Sequence, residues 1–231
     1  LSSDNKYNTK FNIKFYDENK KYKSHKSYQN LQEGVSSANH IFLCVPIRYI
    51  QKTISQISSL LKPGTVVIDV CSVKILPCKW MLEGLPENIN IIATHPMFGP
   101  DSYNINNNNS QIMMHALRCD KEKYNFWRDF FISKNFKILD ISPDEHDKHV
   151  AFSQGVTHVI GRVLNHMKLD KYLNDNNPIT KGFESIMHVK QQTCHDSIDL
   201  FHDMIKFNPY SKEMLGSLNL SVSSILLKLI D

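Results

Sequence analysis

The sequence predicts an α/β chain: a parallel sheet flanked by helices over residues 1–143, followed by an all-helical domain over 144–231. Three observations carry this. The short apolar runs "HIFLCVPI", "TVVIDV" and "NINIIAT" lack polar alternation, as strands buried on both faces do. Segments with a helical period separate them, so strands and helices alternate. From Pro143 onward every segment has a helical period.

Taken in order, "FNIKFYDENK" alternates Phe11, Ile13 and Phe15 with polar residues and reads as a first strand with Asp17 at its exit. "HIFLCVPI" (40–47) is the next. "RYIQKTISQISSLLK" has apolar residues at 50, 54, 57, 60 and 61, a helical period stopped by Pro63-Gly64. "TVVIDV", a helix around "ILPCKWMLEGL", and "NINIIAT" complete a βαβαβ series ending at His95. "DSYNINNNNSQ" is a low-complexity loop. "IMMHALRC" is a further strand, "EKYNFWRDFFISKN" an amphipathic helix, and "FKILDIS" the last strand. In the helix expected over 144–168, Val156, Ile160, Val163 and Met167 form the core face, while Gln154, His158 and Arg162 recur every four residues on a polar one. Two later helical stretches run over 181–206 and 209–230.

Composition narrows the function classes. With 231 residues and 41% hydrophobic content, the chain can bury a sizeable core. It holds no continuous run of 18 apolar residues, so a soluble chain without a membrane span is expected. It opens on Leu1, and "LSSDNKYNTK" has neither a signal-peptide nor a transit pattern, the expectation for a trimmed or partial chain. Five cysteines (Cys44, Cys71, Cys78, Cys119, Cys194) without C-x-x-C spacing fit a reducing compartment, the cytoplasm, with a plastid-type organelle left open. A net charge of +4 is too mild and dispersed for a nucleic-acid partner and suits a small anionic ligand. The dense basic stretch within Lys10–Lys26 reads as a solvated linker. His146 and His149 share a helix face, but no third ligand stands in register and no H-E-x-x-H occurs, so no metal is expected.

In open α/β sheets, ligands lie outside the carboxyl ends of the strands. Asp17, "CVPI" with Val45 and Pro46, "DVCSVK" (69–74) and "THPMFGP" (94–100) fall there. An acidic residue at such a strand end accepts ribose hydroxyls in dinucleotide folds, which favours NAD and leaves NADP possible; a plain turn residue is the alternative. The G-x-G-x-x-G loop that should come about 20 residues earlier does not occur. The first glycine is Gly34. A loop upstream of Leu1 is expected; a fold that has lost it is the other option.

Taken together, "DVCSVK", "ATHPMFGPDS", "EHDKHVAFSQGVTHVIGRVL", "ITKGFESIM" and "DSIDLFHDMIKFNP" resemble the prephenate/arogenate dehydrogenases of tyrosine biosynthesis, and most closely the arogenate type, over residues 11–215. The resemblance implies a Rossmann-like dinucleotide-binding domain, a helical dimerisation domain and a homodimer. It implies oxidative decarboxylation of arogenate or prephenate, with hydride passing to NAD or NADP. His95 would be the general base on the substrate hydroxyl, the work expected of a neutral imidazole. Ser72 would orient that hydroxyl and the nicotinamide. Gln154 and His158 would face the substrate's carboxylate or side chain. Arg162 would meet ligand or form an interhelical or dimer-face salt bridge. Gln191 stands where prephenate-type members often carry an arginine, a departure that weighs against strong prephenate binding. Asp196 would pair with the ammonium of arogenate, or cap a helix. His146 and Asp147 are expected to start their helix, and Lys74 to be solvated or to cap one. The related β-hydroxyacid dehydrogenases use a lysine on the interdomain helix, and none lies between Lys148 and Lys168. A prephenate-specific enzyme and a binding or regulatory homologue without the phosphate loop are the remaining alternatives.

Overall fold

The apolar runs become, in the computed structural model, a five-stranded sheet in the order β1-β2-β3-β4-β5. The structure describes residues 11–18, 26–99, 110–173 and 177–230. The strands are β1 (His40–Leu43), β2 (Val66–Asp69), β3 (Asn90–Pro96), β4 (Gln111–Arg118) and β5 (Lys137–Asp140). Between them run α1 (Leu31–Ser37), α2 (Ile50–Ile57), α3 (Ile75–Gly84) and α4 (Lys121–Ser133), with α2, α3 and α4 as crossovers between neighbouring parallel strands. β1, β2 and β3 are mutually parallel and β4 is parallel to β5, but β3 and β4 pair antiparallel. The expected all-parallel sheet is corrected at that pairing. Hydrophobic period reports burial and carries no strand direction.

β2 and β3 are mostly apolar because both faces are covered, and every residue from Val66 to Asp69 is buried. Val66, Ile68, Ile92, Ile112 and Met114 pack against Tyr124 and Trp127 of α4. β1 departs from expectation: it stops at Leu43 and is half exposed, with Phe42 at 39%. Its "apolar both faces" pattern belongs to an edge whose outer side carries aromatic packing, since Phe42 meets the Trp127 ring at 5.0 Å. Among the described residues Phe11–Asp17 forms no strand, its one pairing being an isolated bridge between Phe15 and Ser27, and Ile13 is 69% exposed. Phe11 instead stacks on Trp127 at 5.7 Å, so ring packing and no ladder explains its apolar character. Most of the low-complexity loop (100–109) and of the basic stretch (19–25) lies outside the described residues.

The chain divides into two units, with the main boundary between Ile141 and Ser142; Pro46–Arg48 and Ser72–Leu76 belong to the second. Two buried carboxylates of that unit hold these short segments. Asp203 accepts from Arg48 Nε at 2.9 Å, and Asp147 accepts the backbone N–H groups of Lys74 and Ile75. The unit contains α5 (Pro143–Val150), a π-turn (Ala151–Gly155), α6 (Val156–His166), α7 (Lys181–His195), α8 (Ile198–Phe207) and α9 (Ser211–Ile230). The single helix expected over 181–206 breaks at Asp196-Ser197, where the Ser197 hydroxyl caps α8 through the Leu200 N–H. On α6 the expected faces are reversed. Val163 and Met167 are exposed at 47% and 55%, whereas His158 and Gly161 are buried. Periodicity finds an apolar stripe but not the neighbour that covers it. α9 is long and apolar enough, by length and composition, to cross a membrane, with only 6% of its window buried. Serines and Asn219 interrupt its leucines, which is why no continuous apolar run marks it in the sequence.

Candidate active site

In the sheet unit, the end of β2 and the middle of β3 are tied by Asp69, which is fully buried. Its carboxylate accepts the Cys71 N–H at 3.1 Å, and its backbone carbonyl accepts the Thr94 hydroxyl at 2.6 Å. His95 follows Thr94 and is 4% exposed. It lies within β3, opposite Met113, and pairing continues past it to Pro96 and on to the Met97 N–H. The histidine is thus held by a strand ladder and does not start a loop. Asp69 was not singled out from sequence; the acidic residue in an otherwise apolar run was the available signal.

Val45 is half buried and Pro46 exposed just beyond β1, the carboxyl-end position expected of them. Asp17 is half buried and, among the described residues, follows the isolated bridge at Phe15 and no strand.

In the helical unit, Ser72 lies in the segment that Asp147 grips at 2.7 Å from the Lys74 N–H and 2.8 Å from the Ile75 N–H. His146 Nδ1 is 2.8 Å from the same carboxylate. His146 and Asp147 do not start α5. Ser142 does, in a reciprocal capping box with Glu145 and with Pro143 following, because it precedes the first amides and its hydroxyl can accept from them. Lys74 is fully buried, which removes the solvated option and leaves it at the residue preceding α3. His146 is committed to Asp147, and among the described residues no group of three or more His, Cys, Asp or Glu is arranged to hold a metal.

Gln154 lies in the π-turn and His158 and Arg162 on α6, so the row starts at a wide turn of a kind frequent at functional sites. Gln154 Oε1, His158 Nδ1 and Arg162 Nε are all buried without a hydrogen-bond partner among the described residues. An orphaned buried polar atom costs about 1–3 kcal/mol, so each calls for a partner from outside the chain. His158 Nε2 is 3.7 Å from Asp196 Oδ2, too long for a hydrogen bond but close enough for charge to act. Burial pushes the His158 pKa below the usual histidine value; Asp196 opposes this and Arg162 adds to it. The ring is therefore neutral at pH 7.

Arg162 links α6 to α7, though through main-chain oxygens and not the expected salt bridge. Nη2 donates to the backbone carbonyls of Thr193 and Asp196 at 3.2 and 2.7 Å, closing the C-terminal end of α7, and its guanidinium lies 5.5 Å over the Phe201 ring. The interhelical link is thus to main-chain oxygens, with no carboxylate. Gly161 permits it: a Cβ there would stand 1.8 Å from Thr193 Oγ1. Asp196 ends α7 with its side chain 45% exposed. Gln191 is exposed.

Residues 7–118 match the model described as "Prephenate dehydrogenase, nucleotide-binding domain", and residues 164–231 that described as "TYRAAT1-like, C-terminal domain". Arogenate dehydrogenase 1, chloroplastic, of Arabidopsis thaliana is 33% identical over 191 residues, 80% of this chain. The chain belongs to the prephenate/arogenate dehydrogenase family. Arogenate dehydrogenase 2, chloroplastic, of the same plant is 32% identical over 71% of the chain. The chain spans 29% and 46% of the length of these two relatives. Among solved structures, the arogenate dehydrogenase of Synechocystis covers 88% of the chain and 75% of its own with a TM-score of 0.65 at 20% identity. The Aquifex aeolicus prephenate dehydrogenase, crystallised with hydroxyphenyl propionate and NAD+, covers 89% and 74% at a TM-score of 0.67 and 12% identity. These family structures share the fold, an α/β sheet domain followed by helices.

Proposed function

We propose that this chain carries the catalytic residues of an NAD(P)-dependent dehydrogenase that oxidatively decarboxylates L-arogenate to tyrosine. The observation that carries the reading is the row of Gln154, His158 and Arg162, whose buried atoms lack partners beside the Asp196 carboxylate. A neutral His158 with Nε2 turned to Asp196 keeps its proton on that nitrogen, which leaves Nδ1 as a buried acceptor. An acceptor and a carboxylate together suit an ammonium group, so this geometry favours arogenate over prephenate, whose side chain ends in a keto acid. Gln191, in place of an arginine, supports the same choice.

Val45 and Pro46 beyond β1 and Ser72 beyond β2 would hold the nicotinamide end of the dinucleotide, and their carboxyl-end positions fit that role. The pyrophosphate cradle is not among these 231 residues, whose first glycine is Gly34. When bound, the dinucleotide supplies the hydride acceptor. His95 takes the proton of the 4-hydroxyl as its carbon becomes a carbonyl, and Ser72 orients that hydroxyl. Loss of carbon dioxide and aromatisation need no further acid or base from the chain.

A homodimer completes the reading. Leu215, Leu218, Val222, Ile225 and Leu229 follow alternating three- and four-residue steps along α9, the spacing of a helix-pairing seam. Ile225 and Leu229 are 59% and 74% exposed. Ile225→Glu should yield monomers in sedimentation; an unchanged species contradicts this. Among the described residues the five cysteines form no disulfide with one another, which fits a reducing compartment, the cytoplasm or a plastid. The activity is tested by reduced-nicotinamide formation from arogenate and prephenate with each cofactor.

A further inference from the structure

The fully buried carboxylate of Asp147 accepts the backbone N–H groups of Lys74 and Ile75, the first amides of α3, from more than 70 residues away in sequence. Helix N-termini are normally satisfied by a local side chain at the capping position. Here Lys74 precedes the helix, and an ammonium side chain cannot accept a hydrogen bond from an amide. Asp147 is itself fixed: His146 Nδ1 meets its Oδ1 at 2.8 Å, and Asn208 Nδ2 donates to its backbone carbonyl at 2.8 Å. The peptide planes from Val73 to Ile75 are therefore clamped to α5 and to the turn before α9. Ser72 is the next residue upstream. Because Asp147 takes the amides that a serine cap would serve, Ser72 is not needed to satisfy them.

We propose that Asp147 is a positioning residue for Ser72, acting through the start of α3. The proposal rests on the reading that Ser72 orients substrate and nicotinamide. A misplacement on the order of 1 Å costs about 100-fold in rate when the displaced group orients a reacting centre. Asp147→Asn replaces one accepting oxygen with a donor facing an N–H, so one of the two contacts turns repulsive.

In the enzyme, Asp147→Asn should lower kcat by roughly 10- to 100-fold with the KM for dinucleotide within about twofold. In a Ser72→Ala background the same change should cost under about twofold, since the group it positions is gone. Equal losses in both backgrounds overturn the proposal. Amide exchange separates this from the functional reading: in the wild-type protein Lys74 and Ile75 should exchange as slowly as the interior of α5. Exchange as fast as a frayed helix end overturns the clamp whether or not the protein turns over arogenate or Asp147→Asn folds. Slow exchange without turnover in the wild type would sink the functional reading instead, and the role for Ser72 with it.

Discussion

Gly161→Ala tests the packing on which the polar row depends. The added Cβ would lie 1.8 Å from Thr193 Oγ1 and 2.9 Å from Thr193 Cβ. Rotating the threonine moves the oxygen away but breaks its 2.8 Å bond to the Val189 carbonyl, and it leaves the Cβ contact in place. Since carbon atoms settle at about 3.5 Å, α6 and α7 must part by roughly 0.6 Å. Overpacking of this kind costs about 1–3 kcal/mol and the lost hydrogen bond about 1. Alanine's better helix propensity returns about 1 kcal/mol. The net expectation is a loss of about 2 kcal/mol in urea unfolding, with an unchanged m-value. Thr193→Ala in the same background should restore about half, because the oxygen contact goes and the Cβ contact stays. Parting the helices also lengthens the His158–Asp196 approach, so KM for arogenate should rise more than kcat falls. A Gly161→Ala protein within about 0.5 kcal/mol of wild type refutes this account of the α6–α7 contact.

The remaining predictions concern the site directly. His95→Asn should leave the fold intact by circular dichroism and lower kcat by about 10²–10⁴-fold, the share of a general base; full activity removes His95 from that role. Asp196→Asn should shift the kcat/KM ratio towards prephenate and, because the carboxylate raises the His158 pKa, move that titration lower still by NMR; an upward move contradicts the pairing. His158 is held below its unfolded value of about 6.5, so the unfolded chain binds its proton first. Stability should therefore be full above that value and fall as pH drops from it towards the folded pKa, and His158→Gln should lose this limb. An acid limb of unchanged size in His158→Gln counts against a buried neutral ring.

Much of the sheet was legible because burial on two faces leaves a plain signature: β2 and β3 are centred on the apolar runs 66–68 and 91–93, and the helices flanking them show their period. Strand direction was not, since the antiparallel β3–β4 pairing leaves the same apolar pattern as a parallel one. Phe11–Asp17 misled for the opposite reason, its alternation serving a ring packed on Trp127. On α6 the spacing of Gln154, His158 and Arg162 was visible, but which stripe faces α7 was not, because His158 is a polar residue buried against the usual rule. Asp69 left one sign, an acidic residue in an apolar run, and the role of Asp147 left none. Their contacts to Thr94 and to Lys74 and Ile75 lie 25 or more residues away, and no local pattern encodes them.

The central claim is that these residues decarboxylate and oxidise arogenate. It is tested most directly by mixing the protein with L-arogenate and NAD or NADP, then following reduced nicotinamide together with tyrosine. The account predicts stoichiometric tyrosine and reduced cofactor, with arogenate preferred over prephenate. No reduction with either substrate would contradict it.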